Sequence, residues 1–190
     1  YQLAKAAVEK EDYAEAKELL LRAVGEYPHN LGEGKLESGQ ENNLYYLLGL
    51  VQEKLGEAKD AFESLTRACC GESEPVGMMY YNDQPPEMIY YQGLAYRMLG
   101  EEEQAVRRFQ KLVDYGREHI RDDVKIDYFA VSLPDLLIFE ENLNERNRKH
   151  CLFMMSLGLK GLGRIDEAEK CAEELLAMDN DHQEIRGHDL

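Results

Sequence analysis

The side chains best suited to covalent or metal chemistry are few, and their spacing supports no reaction. Cys69 and Cys70 are adjacent while Cys151 and Cys171 stand alone, so no Cys-x-x-Cys pair exists to hold zinc or to exchange disulfides. Adjacent cysteines do not readily close a relaxed disulfide, and the expectation is four structural thiols inside a packed core. His29, His119, His150, His182 and His188 never fall at the i, i+4 spacing that presents two metal ligands on one helix face. A surface or capping role is expected for His150. Gly32-Glu33-Gly34-Lys35 has the look of a phosphate loop. A Walker loop, however, needs a glycine where His29 stands and Ser or Thr where Leu36 stands. Carboxylate pairs such as Asp122-Asp123 and Glu140-Glu141 are commonplace in a chain with 38 acidic residues. No catalytic residue, metal site or cofactor is expected. One string has binding chemistry of another kind. Tyr80-Tyr81-Asn82-Asp83 offers flat rings and polar termini that suit a sugar, although capping of a helix junction is the simpler expectation for the same residues.

Charge narrows the partners. The chain has 190 residues, 38 acidic against 22 basic, and a formal net charge of −16. Nucleic-acid binding depends on clustered Lys and Arg, so this balance argues against it. The simplest account of the charge is solvation of exposed helix faces. No apolar stretch approaches the length of a membrane span, and a cytoplasmic location is expected. Tyr1 falls inside a helical pattern, so the sequence reads as part of a longer chain.

The elements that must position any site are helices in a repeat. Gly49, Gly56 and Ala61 recur at the same spacing as Gly93, Gly100 and Ala105, and a degenerate copy follows at Ser156, Gly163 and Ala168. The first small residue and the Ala belong to two successive helices at their crossing, where bulk must be absent. The middle glycine follows Leu55, Leu99 or Leu162, where the first helix must end in a left-handed turn. Glu57, Glu101 to Glu103, and Asp166-Glu167 then open the second helix at the positive end of its dipole. A fourth copy begins the chain, with Asp12-Tyr13-Ala14-Glu15-Ala16 as its turn and second helix, Ala23 as its later small residue and Pro28 as its stop.

This pattern resembles the tetratricopeptide repeat (TPR) family. Tyr45, Leu48, Gly49, Gly56, Ala61, Leu65 and Ala68 fit one unit; Tyr96, Gly100, Ala105 and Phe109 fit the next. Leu152, Leu159, Gly163, Ala168 and Asp179-Asn180 fit the last, with Asn where the family favours Pro. The resemblance implies an all-α right-handed superhelix of antiparallel helix pairs in a single domain over 1–190. Four repeats are expected near 1–28, 42–70, 87–115 and 149–181. The second-helix alanines, Ala16, Ala61, Ala105 and Ala168, are 45, 44 and 63 residues apart, longer than the family period of about 34. Insertions are therefore expected near 29–41, 71–86 and 116–148. The third should hold a helix opened by Ser132-Leu133-Pro134-Asp135, after which a long helix restarts near Leu143. A narrower resemblance, in Asn30 to Lys35, Tyr80 to Asp83 and Asp127 to Asp135, is to the TPR region of large bacterial proteins. There the repeats follow a β-rich domain of unknown function with a carbohydrate connection.

In TPR arrays the first helix of each pair lines a concave groove. Counting from Ala4, Gly49, Gly93 and Ser156 places Tyr1, Lys5 and Val8, then Asn43, Tyr46, Leu50, Glu53 and Lys54, on that face. Glu87, Tyr90, Leu94 and Arg97 follow, and then His150, Phe153, Leu157 and Lys160. The groove candidates are Asn43, Tyr46, Lys54, Tyr90, Arg97, Phe153 and Lys160: rings for apolar side chains and cations for a carboxylate. The competing expectation is that these aromatics pack against adjoining helices or the third insertion. Two functions follow. One is a non-catalytic scaffold that binds a peptide, or another domain of the same chain, in the groove. The other is an accessory domain of a carbohydrate-active bacterial protein, with Tyr80, Tyr81, Asn82 and Asp83 completing a sugar site.

Overall fold

A computed structural model describes residues 1–25, 40–77, 85–125, 142–180, 182 and 185, and among these residues all regular structure is helical. The helices are α1 (Gln2–Glu9), α2 (Tyr13–Gly25), α3 (Asn42–Lys54), α4 (Ala58–Ala68), α5 (Pro86–Met98), α6 (Glu102–His119), α7 (Leu143–Gly161) and α8 (Ile165–Met178). The all-α repeat architecture is as expected. The helix proposed after Ser132 and the string Tyr80-Tyr81-Asn82-Asp83 lie outside the described residues.

One turn geometry closes every pair. After α3 the N–H of Gly56 reaches the carbonyl of Glu53 at 3.0 Å, and the N–H of Glu57 reaches that of Gln52 at 2.9 Å. The same two bonds recur after α5 (Gly100 to Arg97, Glu101 to Tyr96) and after α7 (Gly163 to Lys160, Arg164 to Leu159). They satisfy carbonyls that the ending helix would otherwise leave bare. The pattern requires a left-handed residue at its centre, and Gly56, Gly100 and Gly163 have φ of 77°, 79° and 73°. The first pair makes the same bonds, Glu11 to Val8 and Asp12 to Ala7, both 2.9 Å. Here the central residue is not glycine. Glu11 holds φ 59°, a left-handed conformation on a residue with a Cβ. Asp12 offsets part of this strain by accepting a hydrogen bond from the N–H of Glu15 at 3.1 Å, capping α2.

Contacts divide the chain into two compact units. The first comprises Tyr1–Glu74 and Glu87–Arg108; the second comprises Pro75–Pro86 and Phe109–Leu190. The core of the first unit starts from Ala4, Ala7, Ala16, Leu20, Leu47, Leu48 and Val51, and a second cluster joins Leu65, Ala68 and Ala95. The small residues of the repeat phrase sit at these crossings. A Cβ added to Gly49 would lie 2.6 Å from Cγ of Leu65 on α4. Two buried amides tie the end of α4 to its neighbours. Asn42 donates to the carbonyls of Ala68 and Cys70, each at 2.8 Å. Gln92, fully buried, donates to those of Cys70 and Glu72 at 3.1 and 2.8 Å.

In the second unit α7 opens at Leu143, inside the expected insertion. The side chain of Asn142 accepts from the N–H of Glu145 at 3.2 Å and fixes that start. Cys151 through Leu159 are all buried, so this helix has no solvated face over those turns. It also packs closely on α6 two residues beyond Ser156. A Cβ on Gly158 would lie 2.5 Å from the Phe109 carbonyl oxygen, and one on Gly116 2.7 Å from that of Cys151.

Two substitutions separate these roles. Glu11→Gly relieves the left-handed strain and is expected to raise stability by about 1 kcal/mol, whereas Gly56→Ala, with open space around it, loses about 1–2 kcal/mol from strain alone. Gly158→Ala meets backbone that cannot step aside and is expected to cost about 2–3 kcal/mol, despite the better helix propensity of Ala. Urea unfolding followed by circular dichroism checks all three; a neutral Glu11→Gly would remove the strain argument.

Candidate functional site

Side chains from α1, α3 and α5 converge in the first unit on a cluster of four tyrosines. Tyr46 and Tyr90 each stand three residues before the first glycine of their repeat, so they project from equivalent positions of successive helices. Tyr91 is the hub. Its ring centroid is 5.5 Å from that of Tyr46 and 5.8 Å from that of Tyr90, and its hydroxyl is 2.8 Å from the hydroxyl of Tyr1. Tilted contacts at these distances suit aromatic quadrupoles. Tyr90 and Tyr91 are buried, whereas Tyr1 and Tyr46 keep partial access to solvent. Lys5 is also buried, with Nζ 5.9 Å from the centroid of the Tyr1 ring.

Burial keeps these phenols neutral. It pushes Tyr90 up to about 12 and Tyr91 further still, and it raises Tyr1 and Tyr46 as well. The Glu87 carboxylate adds to the rise at Tyr1 and Tyr91, while the Arg97 guanidinium opposes it at Tyr46 and Tyr90. Arg97 lies at the edge of the cluster and is held by Glu102 through bonds of 2.8 and 3.0 Å. The cluster is thus a floor of neutral rings and hydroxyls beside two cations, the buried Lys5 and the anchored Arg97, and it contains no activated nucleophile.

The candidates predicted from sequence divide between the units. Asn43 (half-buried), Tyr46, Lys54 (exposed at the end of α3), Tyr90 and Arg97 lie in the first unit. Asn43 turns its side-chain oxygen to the N–H of Leu44 at 2.9 Å. Phe153 and Lys160 lie in the second unit. Phe153 is 1% exposed, with its ring 5.5 Å from that of His182, and Lys160 is half-buried. Phe153 therefore offers no open ring surface, because α7 is enclosed on all sides along that stretch. His150 sends Nε2 to the carbonyl of Val76 at 2.7 Å, where it fixes a loop. Counting three and four from each glycine misses Tyr91. Its signal was the doublet Tyr90-Tyr91, which repeats Tyr45-Tyr46 one residue closer to the following glycine.

The thiols and histidines add no reactive centre. All four cysteines are free. Burial raises Cys69 and Cys151 to about 12, and Cys171 is also raised, which makes their thiolates scarce at neutral pH. Cys70 is exposed rather than packed inside, because it falls just past the end of α4; its thiol donates to the Thr66 carbonyl at 3.3 Å. Among the described residues no three His, Cys, Asp or Glu gather as a metal site, and no helix is long and apolar enough to cross a membrane.

Comparison with known proteins agrees with the helix pairs. Three family models, each described as a tetratricopeptide repeat, match residues 1–75, 87–115 and 150–182. Two solved structures, described as crystal structures of MamA, are similar to the chain at 19% identity. They align over 96% and 100% of this chain and 78% and 74% of theirs, with TM-scores of 0.34 and 0.33. At those scores the alignments carry no argument about function.

The tyrosine floor can be tested by titration. The unfolded chain releases a tyrosine proton near 10.0, and folded Tyr90 releases its own only near about 12. As pH rises between these values the unfolded state deprotonates first and is favoured. Stability is then intact below about pH 10 and falls as pH climbs to about 12, and Tyr90→Phe makes the fall shallower. Urea midpoints on both sides of about pH 10 measure it; a flat profile through about pH 11.5 would contradict the burial.

Proposed function

We propose, for a chain that belongs to the tetratricopeptide-repeat family, that the α1–α3–α5 face of the first unit docks a peptide or a neighbouring domain. The repeats make the chain a protein-interaction scaffold, and the observation that supports this face is the tyrosine cluster. Tyr1 and Tyr46 present partly open ring surface above the buried Tyr90 and Tyr91. An apolar anchor side chain seated there would lose its contact with water against rings that are already fixed, at little entropic cost. Asn43 stands one turn before Tyr46 on α3 and adds an amide to the same helix face. Lys54 and Arg97 mark the rim, where charge tunes encounter rate and partner choice more than affinity. Glu102 neutralises much of Arg97, so the floor rather than the rim should dominate.

The experiment is a peptide-display selection on the intact chain, followed by calorimetry with the selected peptides. Tyr46→Ala is expected to weaken binding by about tenfold or more, whereas Lys54→Ala and Arg97→Ala together cost about threefold and steepen no salt dependence. If selected peptides bind equally well to the Tyr46→Ala chain, the face is not the docking site. If the double cation variant costs more than Tyr46→Ala, the rim carries recognition and the floor is only packing.

A further inference from the structure

The chemistry of the α1–α3–α5 face limits what can sit on it. Past its first turn, α3 spends its backbone N–H and C=O groups within the helix, so recognition there falls to side chains. Two of these side chains hold a donor that no described residue accepts. The half-buried Asn43 takes the N–H of Leu44 on its side-chain oxygen at 2.9 Å. That bond fixes the amide and leaves Nδ2 with no acceptor among the described residues. The hydroxyl of Tyr46, three residues on and on the same side of α3, likewise makes no hydrogen bond among them. Burial pushes this phenol up, so it keeps its proton and remains a donor.

The ionised groups around the floor offset one another. Arg97 is held by Glu102 at 2.8 Å, Lys5 lies against the Tyr1 ring, and the Glu87 carboxylate acts on Tyr1 and Tyr91. The floor therefore favours an uncharged ligand that brings apolar surface and hydrogen-bond acceptors. A helical ligand keeps its carbonyls for its own turns. An ordinary extended strand brings as many N–H groups as carbonyls, and the rings would bury those donors without an acceptor. A proline-rich segment differs from both. In the polyproline II conformation its carbonyls make no internal hydrogen bonds, and its prolines carry no N–H. It is also extended before it binds, so little entropy is lost on docking.

We propose that this face docks a proline-rich segment of another protein. Its prolyl rings cover Tyr1 and Tyr46, and its backbone carbonyls accept from Asn43 Nδ2 and from the Tyr46 hydroxyl. The inference rests on the docking role of the face and adds the class of its partner.

The test is calorimetry on the intact chain with two acetylated, amidated peptides, Pro-Pro-Ala repeated three times and Ser-Ser-Ala repeated three times. The proline peptide is expected to bind about tenfold more tightly than the serine peptide. Asn43→Asp keeps an oxygen for the Leu44 N–H and exchanges the outward donor for an acceptor. It should weaken the proline peptide by about fivefold or more while leaving the urea midpoint unchanged. Tyr46→Phe, which keeps the ring and removes the donor, should cost a similar factor. Equal binding of the two peptides, or a proline peptide that binds both variants as tightly as the unaltered chain, overturns the proposal. The docking role is judged separately, by the peptides selected on this chain. If Tyr46→Ala weakens those peptides while the proline peptide shows no preference, the face docks a partner of another class and only the proline-rich partner is excluded.

Discussion

The rest of the fold depends on a left-handed turn that recurs four times among the described residues. An α-helix ends with bare carbonyls, and a chain reversing into an antiparallel neighbour must satisfy them within a few residues. The paired bonds from the central residue and its successor back into the last turn do so, and they aim the second helix back along the first. Because the same two bonds recur at Glu11, Gly56, Gly100 and Gly163, each pair leaves its turn in the same sense. The small residues at the crossings then set how closely the helices can lie. Turn geometry fixes direction, and crossing residues fix distance.

From that constraint follows the tyrosine cluster of the first unit. Consecutive first helices repeat the same register, so Tyr46 and Tyr90, each three residues before its glycine, occupy equivalent positions. Tyr91 joins them, with its ring against both, and Tyr1 completes the group through a hydroxyl pair. The cluster is formed from positions far apart in sequence, yet it needs no long-range signal beyond the repeat. A face of this kind is rigid before any partner arrives, which lowers the ordering cost of binding.

The repeat phrase made much of the fold legible. Spaced Gly and Ala gave the helix pairs, the turn glycines gave their ends, and acidic residues marked the second helices. What was not legible had physical reasons. Glu11 breaks the glycine rule yet adopts the same turn, because the paired backbone bonds and the Asp12 cap compensate for a strained Cβ. Gly158 lay outside the phrase, and its small size serves a different contact, with the Phe109 backbone on α6 of the preceding pair. Phe153 was placed on a groove by counting, and it is enclosed because α7 is apolar all round, a pattern that periodicity cannot assign to one face. Tyr91 was missed because its doublet is offset by one residue from the earlier one.

The chemistry left open on the α1–α3–α5 face bears on what that face could select. Two of its cations are engaged: Lys5 is buried against Tyr1, and Arg97 is clamped by Glu102. An engaged cation is a weaker attractor for an incoming carboxylate, because part of its field is already answered within the fold. Ring surface remains, and its contacts are tolerant of sequence and reward shape. On the α2–α4 side Lys17 is likewise paired with Glu57, whereas Arg67 lies over the neutral Tyr45 ring and keeps its charge. Pairing within the fold thus decides which charges a face still presents, even in a chain whose net charge is −16.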